Sequence, residues 1–138
     1  MRLAAILNTN RTIINMINYL MVSLGAALGG GFRYWVSNIA HKLFPATFPY
    51  GTLTVNIIGS FILGLTMFLL DEREMITPGL RLFLAVGFCG GFTTFSSFSF
   101  ETFNLFRDSQ IFLGFVNILV NVTVCFIGVY LAYLISKI

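Results

Sequence analysis

Four apolar runs, near residues 18–44, 50–70, 80–105 and 111–135, are separated by three short polar connections. A bilayer core about 30 Å thick is crossed by about 20 apolar helical residues, so each run is long enough to span it. Only 9% of the 138 residues are charged and 57% are hydrophobic, whereas a soluble domain carries about 25% charged residues. The expected architecture is therefore an all-α membrane protein of four transmembrane helices, forming one domain over residues 16–138. Residues 1–15 are polar and mixed, and read as a flexible or interfacial N-terminal tail.

The charge pattern excludes several classes of function. A net charge of +3 is too small and too scattered for a nucleic-acid surface. Arg2, Arg11, Lys42, Arg73, Arg81, Arg107 and Lys137 fall near span ends, where cations belong. Four spans put both termini and the second connection on one side, with Arg2, Arg11, Arg73, Arg81 and Lys137, against Lys42 and Arg107 on the other. That bias favours cytoplasmic termini. It narrows to three against two without the tail arginines, the near-balance expected of a chain able to insert both ways. Cys89 and Cys125 lie in separate runs without metal spacing and read as small buried thiols. His41 stands alone as an interfacial histidine. The run after Arg2 is short and no A-x-A-like site follows it, so a secretory signal is not expected.

The connections are "FPATFP" (Phe44–Pro49), whose prolines stop helices, the charged loop "DEREMITPG" (Asp71–Gly79) and the tight "RDSQ" (Arg107–Gln110). Gly25 and Gly29 are one helical turn apart in the first run, a spacing that lets helix backbones approach closely in lipid.

Polar residues inside spans are costly and mark candidate sites. Thr52 and Asn56 share one face of the second span. The plain role of Asn56 is an interhelical hydrogen bond; the functional one is a donor lining a polar pathway. Asn117, Asn121 and Cys125 recur every four residues along the fourth span. One such residue serves as glue between helices, but two asparagines in register suggest a polar track. Asn121-Val-Thr matches a glycosylation pattern, but lies inside a span.

In the third span, "GFCGGFTTFSSFSFETF" (Gly87–Phe103) places Gly90 and Gly91 before Thr93 and Thr94. Each glycine costs a helix about 1 kcal/mol relative to alanine, and the hydroxyls compete for backbone bonds. A third helix broken near its middle is expected, with freed carbonyls able to coordinate a cation. The competing reading is an intact helix with a glycine packing notch. Phe95 and Phe98 follow, interleaved with Ser96, Ser97 and Ser99. Such a stripe is ordinarily core or lipid contact. Yet an aromatic ring has a positive edge, and rings turned edge-on, with hydroxyls and amide N–H groups, favour an anion without carrying charge. A path so lined suits a small, hard anion that must enter and leave. Arg33 either snorkels to the interface or raises the anion concentration in a vestibule. Glu101 reads as a structural partner for a helix end or an arginine.

"GGGFRYW" in the first span, "GTLTVNIIG" in the second and "GFCGGFTTFSSFSFE" in the third, in this order in a four-span chain, resemble the Fluc (CrcB) family of bacterial fluoride channels. The resemblance runs from about Asn18 to the C-terminus, and the third motif is its most specific part. It implies an antiparallel, dual-topology homodimer in the bacterial cytoplasmic (inner) membrane, exporting fluoride passively. It implies two fluoride pores along the subunit interface and a structural, non-transported sodium ion (Na+) at the dimer centre, held by the Gly90 and Thr93 carbonyls of each subunit. Matched by motif, Phe95, Phe98, Asn56 and Thr52 line the pore, with Ser96 and Ser97 as nearby hydroxyls. Arg33 lies near the vestibule, and Glu101 follows the break. The fourth span departs from the family pattern: Asn117, Asn121 and Cys125 stand where some members carry a tyrosine and two serines, and a thiol is a poor substitute for a hydroxyl.

Three classes of function compete. A passive fluoride channel requires no acid or base in its spans. A proton-coupled small four-helix exporter requires a membrane-embedded carboxylate, and the first three-quarters of the chain offers none within a span apart from Glu101 near an end. A scaffold without transport would not depend on Phe95 or Asn56. An enzyme is not expected, since no nucleophile–base pair or metal cluster is present.

Overall fold

The computed structural model describes the backbone of Arg2–Ile138 and the side chains from Thr12 onward. Every regular element among these residues is helical: α1 (Arg2–Leu43), α2 (Tyr50–Asp71), α3 (residues 78–92), α4 (Phe95–Arg107) and α5 (Ile111–Ser136). α3 and α4 together form one apolar stretch, Pro78–Arg107. Four segments are long and apolar enough to cross a membrane: Thr12–Leu43, Tyr50–Asp71, Pro78–Arg107 and Ile111–Ser136. Their limits follow the four apolar runs closely except at the first.

There the helix begins at Arg2, so most of the segment read as a polar tail continues α1. Extending an existing helix costs far less than nucleating one, and neither proline nor glycine occurs before Gly25. At about 1.5 Å per residue the 42 residues of α1 reach about 60 Å, roughly twice the hydrocarbon thickness.

Local chemistry sets the other ends. Thr77 caps α3, its hydroxyl accepting from Leu80 N–H at 3.3 Å, with Pro78 at the first helical position, a favoured pairing. The α4–α5 connection turns through Ser109 at φ 62° and the α2–α3 loop through Glu74 at φ 55°. Arg73 donates from Nη2 to the Ser136 carbonyl at 2.7 Å, placing a cation on the last turn of α5, where the helix dipole favours it. Arg81 pairs with Asp71 at 3.2 Å across the same loop. The second half of α2, Leu65–Asp71, and most of α3, Leu82–Cys89, are wound with wide π-type turns.

α1 and α3 meet backbone to backbone. A Cβ on Gly87 would lie 2.9 Å from Gly25 Cα, and one on Gly91 2.9 Å from Ala26 Cα. A Cβ on Gly29 would lie 2.8 Å from Phe92 N. The small residues therefore act as a helix-packing seam, and two glycines of the third-span motif belong to it. Gly64 performs the same service between α2 and α5, where a Cβ would stand 2.7 Å from Ala132 Cβ.

The interior is more polar than the exterior. The buried residues include Thr52, Thr66, Thr94, Thr102, Asn117, Asn121 and Ser136, while Phe112, Phe115, Leu119 and Phe126 of α5 lie on its outside. A water-soluble domain has the opposite arrangement. Lipid as solvent accounts for it, because apolar side chains gain nothing by leaving acyl chains whereas polar groups must find partners.

Candidate ion pathway

The centre of the site is the interval between α3 and α4. Thr93 (φ −80°, ψ 160°) and Thr94 (φ −150°, ψ 109°) leave the helical region for extended backbone. Their departure changes where two backbone donors go. The Thr94 N–H, which would return to the Gly90 carbonyl in a continuous helix, instead donates to Asn56 Oδ1 at 2.8 Å. The Ser97 N–H, which would return to the Thr93 carbonyl, donates to Thr94 Oγ1 at 3.1 Å, an N-cap for α4. Gly90 itself is still helical, at φ −63° and ψ −36°, so the non-helical dihedrals begin three residues after the first of the paired glycines. The oxygens of Gly90 and Thr93 have the hard, neutral donor character that suits a cation such as sodium. No group of three or more His, Cys, Asp or Glu side chains able to hold a metal occurs among the described residues.

A ladder of uncharged polar side chains crosses from this interval into α2 and α5. Asn56 Nδ2 donates to the Thr94 carbonyl at 3.3 Å and to Asn121 Oδ1 at 3.2 Å. Asn121 Nδ2 donates to Asn117 Oδ1 at 2.9 Å and to the Asn117 carbonyl at 3.3 Å. Asn117 Nδ2 donates to Thr102 Oγ1 at 2.8 Å, and that hydroxyl donates to the Phe98 carbonyl at 2.7 Å. Asn117 is wholly buried and Asn121 4% exposed, so the two asparagines in register on α5 point inward as a continuous track.

A cavity of about 360 Å³ lies against this ladder. α2 lines it with Asn56 and Ser60, α3 with Cys89 and Gly90, the interval with Thr93 and Thr94, α4 with Phe95 and Phe98, and α5 with Asn121 and Cys125. No charged side chain lines it. The Phe95 and Phe98 ring centroids are 5.6 Å apart, with planes inclined at 49°. Phe95 is 79% exposed on the single chain.

The remaining candidates lie around this cavity. Ser97 and Ser96 hold the capping hydroxyl, Thr94 Oγ1, at 3.0 and 3.3 Å, and neither lines the cavity. Thr52 donates to Glu101 Oε1 at 2.8 Å, so these two form a clamp between α2 and α4 one turn from Asn56. Glu101 Oε2 and Asn104 Oδ1 are buried without a partner, and both residues line a second cavity of about 260 Å³ with His41 and Asp108. Arg33 is half-buried on α1, has no hydrogen-bond or ion-pair partner among the described residues, and does not line the first cavity.

Three features were not singled out from sequence. Thr102 anchors the inner end of the ladder; its i, i+4 relation to Phe98 was available as a signal. Ser60 lines the cavity, and its spacing of four from Asn56 could have marked it. Cys89, read only as a small buried thiol, lines the same cavity as Cys125, the last member of the fourth-span track, a convergence that only tertiary packing reveals.

The family described as "CrcB-like protein, Camphor Resistance (CrcB)" matches residues 20–133. A protein of Geobacter sp. (strain M21), named fluoride-specific ion channel FluC, is 41% identical over 122 residues, covering 88% of this chain and 98% of the relative. Proteins with the same name from Ruminiclostridium cellulolyticum and Coxiella burnetii are each 43% identical over 122 residues, covering 88% of this chain and 94% and 98% of the relatives.

Proposed function

Because the chain belongs to the CrcB-like family, we propose that it is a fluoride-specific channel through which fluoride leaves the cell passively, lowering its toxicity. The observation that carries this reading is the cavity bounded by Phe95, Phe98, Asn56 and Asn121 with no charged wall. Fluoride is small and strongly hydrated. Neutral donors and ring edges replace part of its water, and without a fixed cation the ion is not trapped.

The roles follow from position. Asn56, Asn121, Phe95 and Phe98 bound the path. Asn117 and Thr52 support it through the ladder and the clamp to Glu101, which serves as a structural residue. Ser96 and Ser97 hold the Thr94 cap, and Arg33 draws anions towards a vestibule. The chain works as an antiparallel, dual-topology homodimer, whose second copy covers faces such as that of Phe95, in the bacterial cytoplasmic membrane. The third span is a broken helix, and the Gly90 and Thr93 carbonyls would hold a structural sodium where the two copies meet. Bound there, the ion would supply fixed positive charge and stabilise oxygens that lack their helical donors.

A proton-coupled exporter needs a carboxylate that exchanges protons within the path, and the cavity has none. Fluoride efflux from liposomes carrying purified protein separates the two readings. A channel empties them without any proton gradient, and strict dependence on that gradient favours the exporter.

A further inference from the structure

The hydrogen-bond directions in the cavity leave one strong donor available. Both N–H groups of the Asn56 amide are directed at protein oxygens, Asn121 Oδ1 and the Thr94 carbonyl. The Asn121 amide is likewise directed at Asn117 Oδ1 and the Asn117 carbonyl. The Thr93 hydroxyl donates to the Cys89 carbonyl at 2.8 Å, and the Thr94 hydroxyl to Ser97 Oγ at 3.0 Å. Ser60 differs. Its hydroxyl has no hydrogen bond to an oxygen among the described residues, and it shares the cavity wall with the thiol of Cys125, whose sulfur is a weak acceptor. Turning that O–H from sulfur to an anion loses little, whereas turning any of the others breaks a bond to oxygen.

The register of the helices makes this pair part of the ladder. Asn56 meets Asn121 across a separation of 65 residues. One turn further along both helices, Ser60 and Cys125 have the same separation, and both line the cavity. The fourth span thus lacks a hydroxyl at Cys125, and the facing position on α2 supplies one.

We propose that Ser60 is the side-chain donor that meets the permeating anion in this cavity, with Cys125 holding the hydroxyl loosely between ions. This rests on the fluoride-channel reading and adds to it an anion-contacting residue on α2.

The test is fluoride efflux from liposomes carrying wild type, Ser60→Ala, Ser60→Thr and the double variant Ser60→Ala/Cys125→Ser, with each protein checked for folding by size-exclusion chromatography. A hydrogen bond to a charged group is lost in Ser60→Ala, so fluoride flux falls about tenfold or more. Ser60→Thr keeps the hydroxyl and retains flux. The double variant recovers flux, because the Cys125→Ser change returns a hydroxyl to the same turn from the facing helix. A merely structural Ser60 would not be rescued from the other helix. Wild-type flux with an undiminished Ser60→Ala overturns the role of Ser60 and leaves the channel reading intact, as does a double variant no better than the single one. A wild type that passes no fluoride overturns both.

Discussion

Asn56 pairs with Thr94 as one peptide group pairs with another: its Oδ1 accepts the Thr94 N–H at 2.8 Å, and its Nδ2 donates to the Thr94 carbonyl at 3.3 Å. A side chain on α2 therefore satisfies the backbone where α3 gives way to α4. Unpaired backbone groups at membrane depth cost several kcal/mol in lipid, so Asn56 is what permits the chain to leave the helical path there.

Replacing Asn56 with leucine removes both bonds to Thr94 and the bond to Asn121 and leaves a buried N–H without a partner, a cost of about 1–3 kcal/mol. The expected outcome is a lower unfolding midpoint in detergent together with lost fluoride flux. Asn56→Asp keeps the acceptor for the Thr94 N–H but not the donor, and is expected to retain more stability than Asn56→Leu while placing a negative charge beside the path and suppressing flux. Equal stability of wild type and Asn56→Leu would contradict this role.

Thr94 caps α4 through the Ser97 N–H at 3.1 Å. Thr94→Ala is expected to cost about 1 kcal/mol, and Thr94→Ser to cost much less because the hydroxyl remains. Thermal unfolding of the two variants side by side measures the difference.

The α1–α3 seam admits no side chain at Gly87, where a Cβ would stand 2.7 Å from the Val22 carbonyl oxygen and 2.9 Å from Gly25 Cα. Gly87→Leu is expected to force the helices apart, at a cost of about 1–3 kcal/mol or more. Gly79, which meets nothing within 4 Å, serves as the control: Gly79→Ala is expected to leave the unfolding midpoint unchanged within error. Similar losses at both positions would contradict a specific seam.

If the Gly90 and Thr93 carbonyls hold sodium between two copies, replacing all sodium with a large organic cation is expected to lower the thermal stability of the purified assembly. Light scattering in detergent is expected to give the mass of two chains. A single-chain mass, or a midpoint indifferent to sodium, would overturn this part of the account.

Much of this fold was legible in the sequence because lipid imposes a simple rule. The limits of the last three spans could be read from hydropathy and from Pro49, Pro78 and the polar connections. The start of α1 could not, because polar residues such as Asn8, Asn10 and Asn15 are compatible with both a tail and a helix, and continuity with the span decides between them. Asn56, Asn117 and Asn121 stood out as costly groups in apolar runs, but the direction of their hydrogen bonds depends on register between helices far apart in the chain. That register links the amides into a ladder of mutual hydrogen bonds, occupies the Asn56 and Asn121 donors, and leaves Ser60 as the freer donor in the cavity. The glycines of the third-span motif divide for the same reason: Gly87 and Gly91 are packing residues against α1, while Gly90 faces the cavity.

The central claim is that uncharged groups around Phe95, Phe98 and Asn56 pass fluoride and reject larger halides. It is tested most directly by measuring fluoride and chloride efflux from the same liposomes, with wild type and with Phe98→Ile. The account predicts rapid wild-type fluoride efflux, negligible chloride efflux, and fluoride efflux abolished in Phe98→Ile; comparable fluoride and chloride efflux, or an unaffected variant, would contradict it.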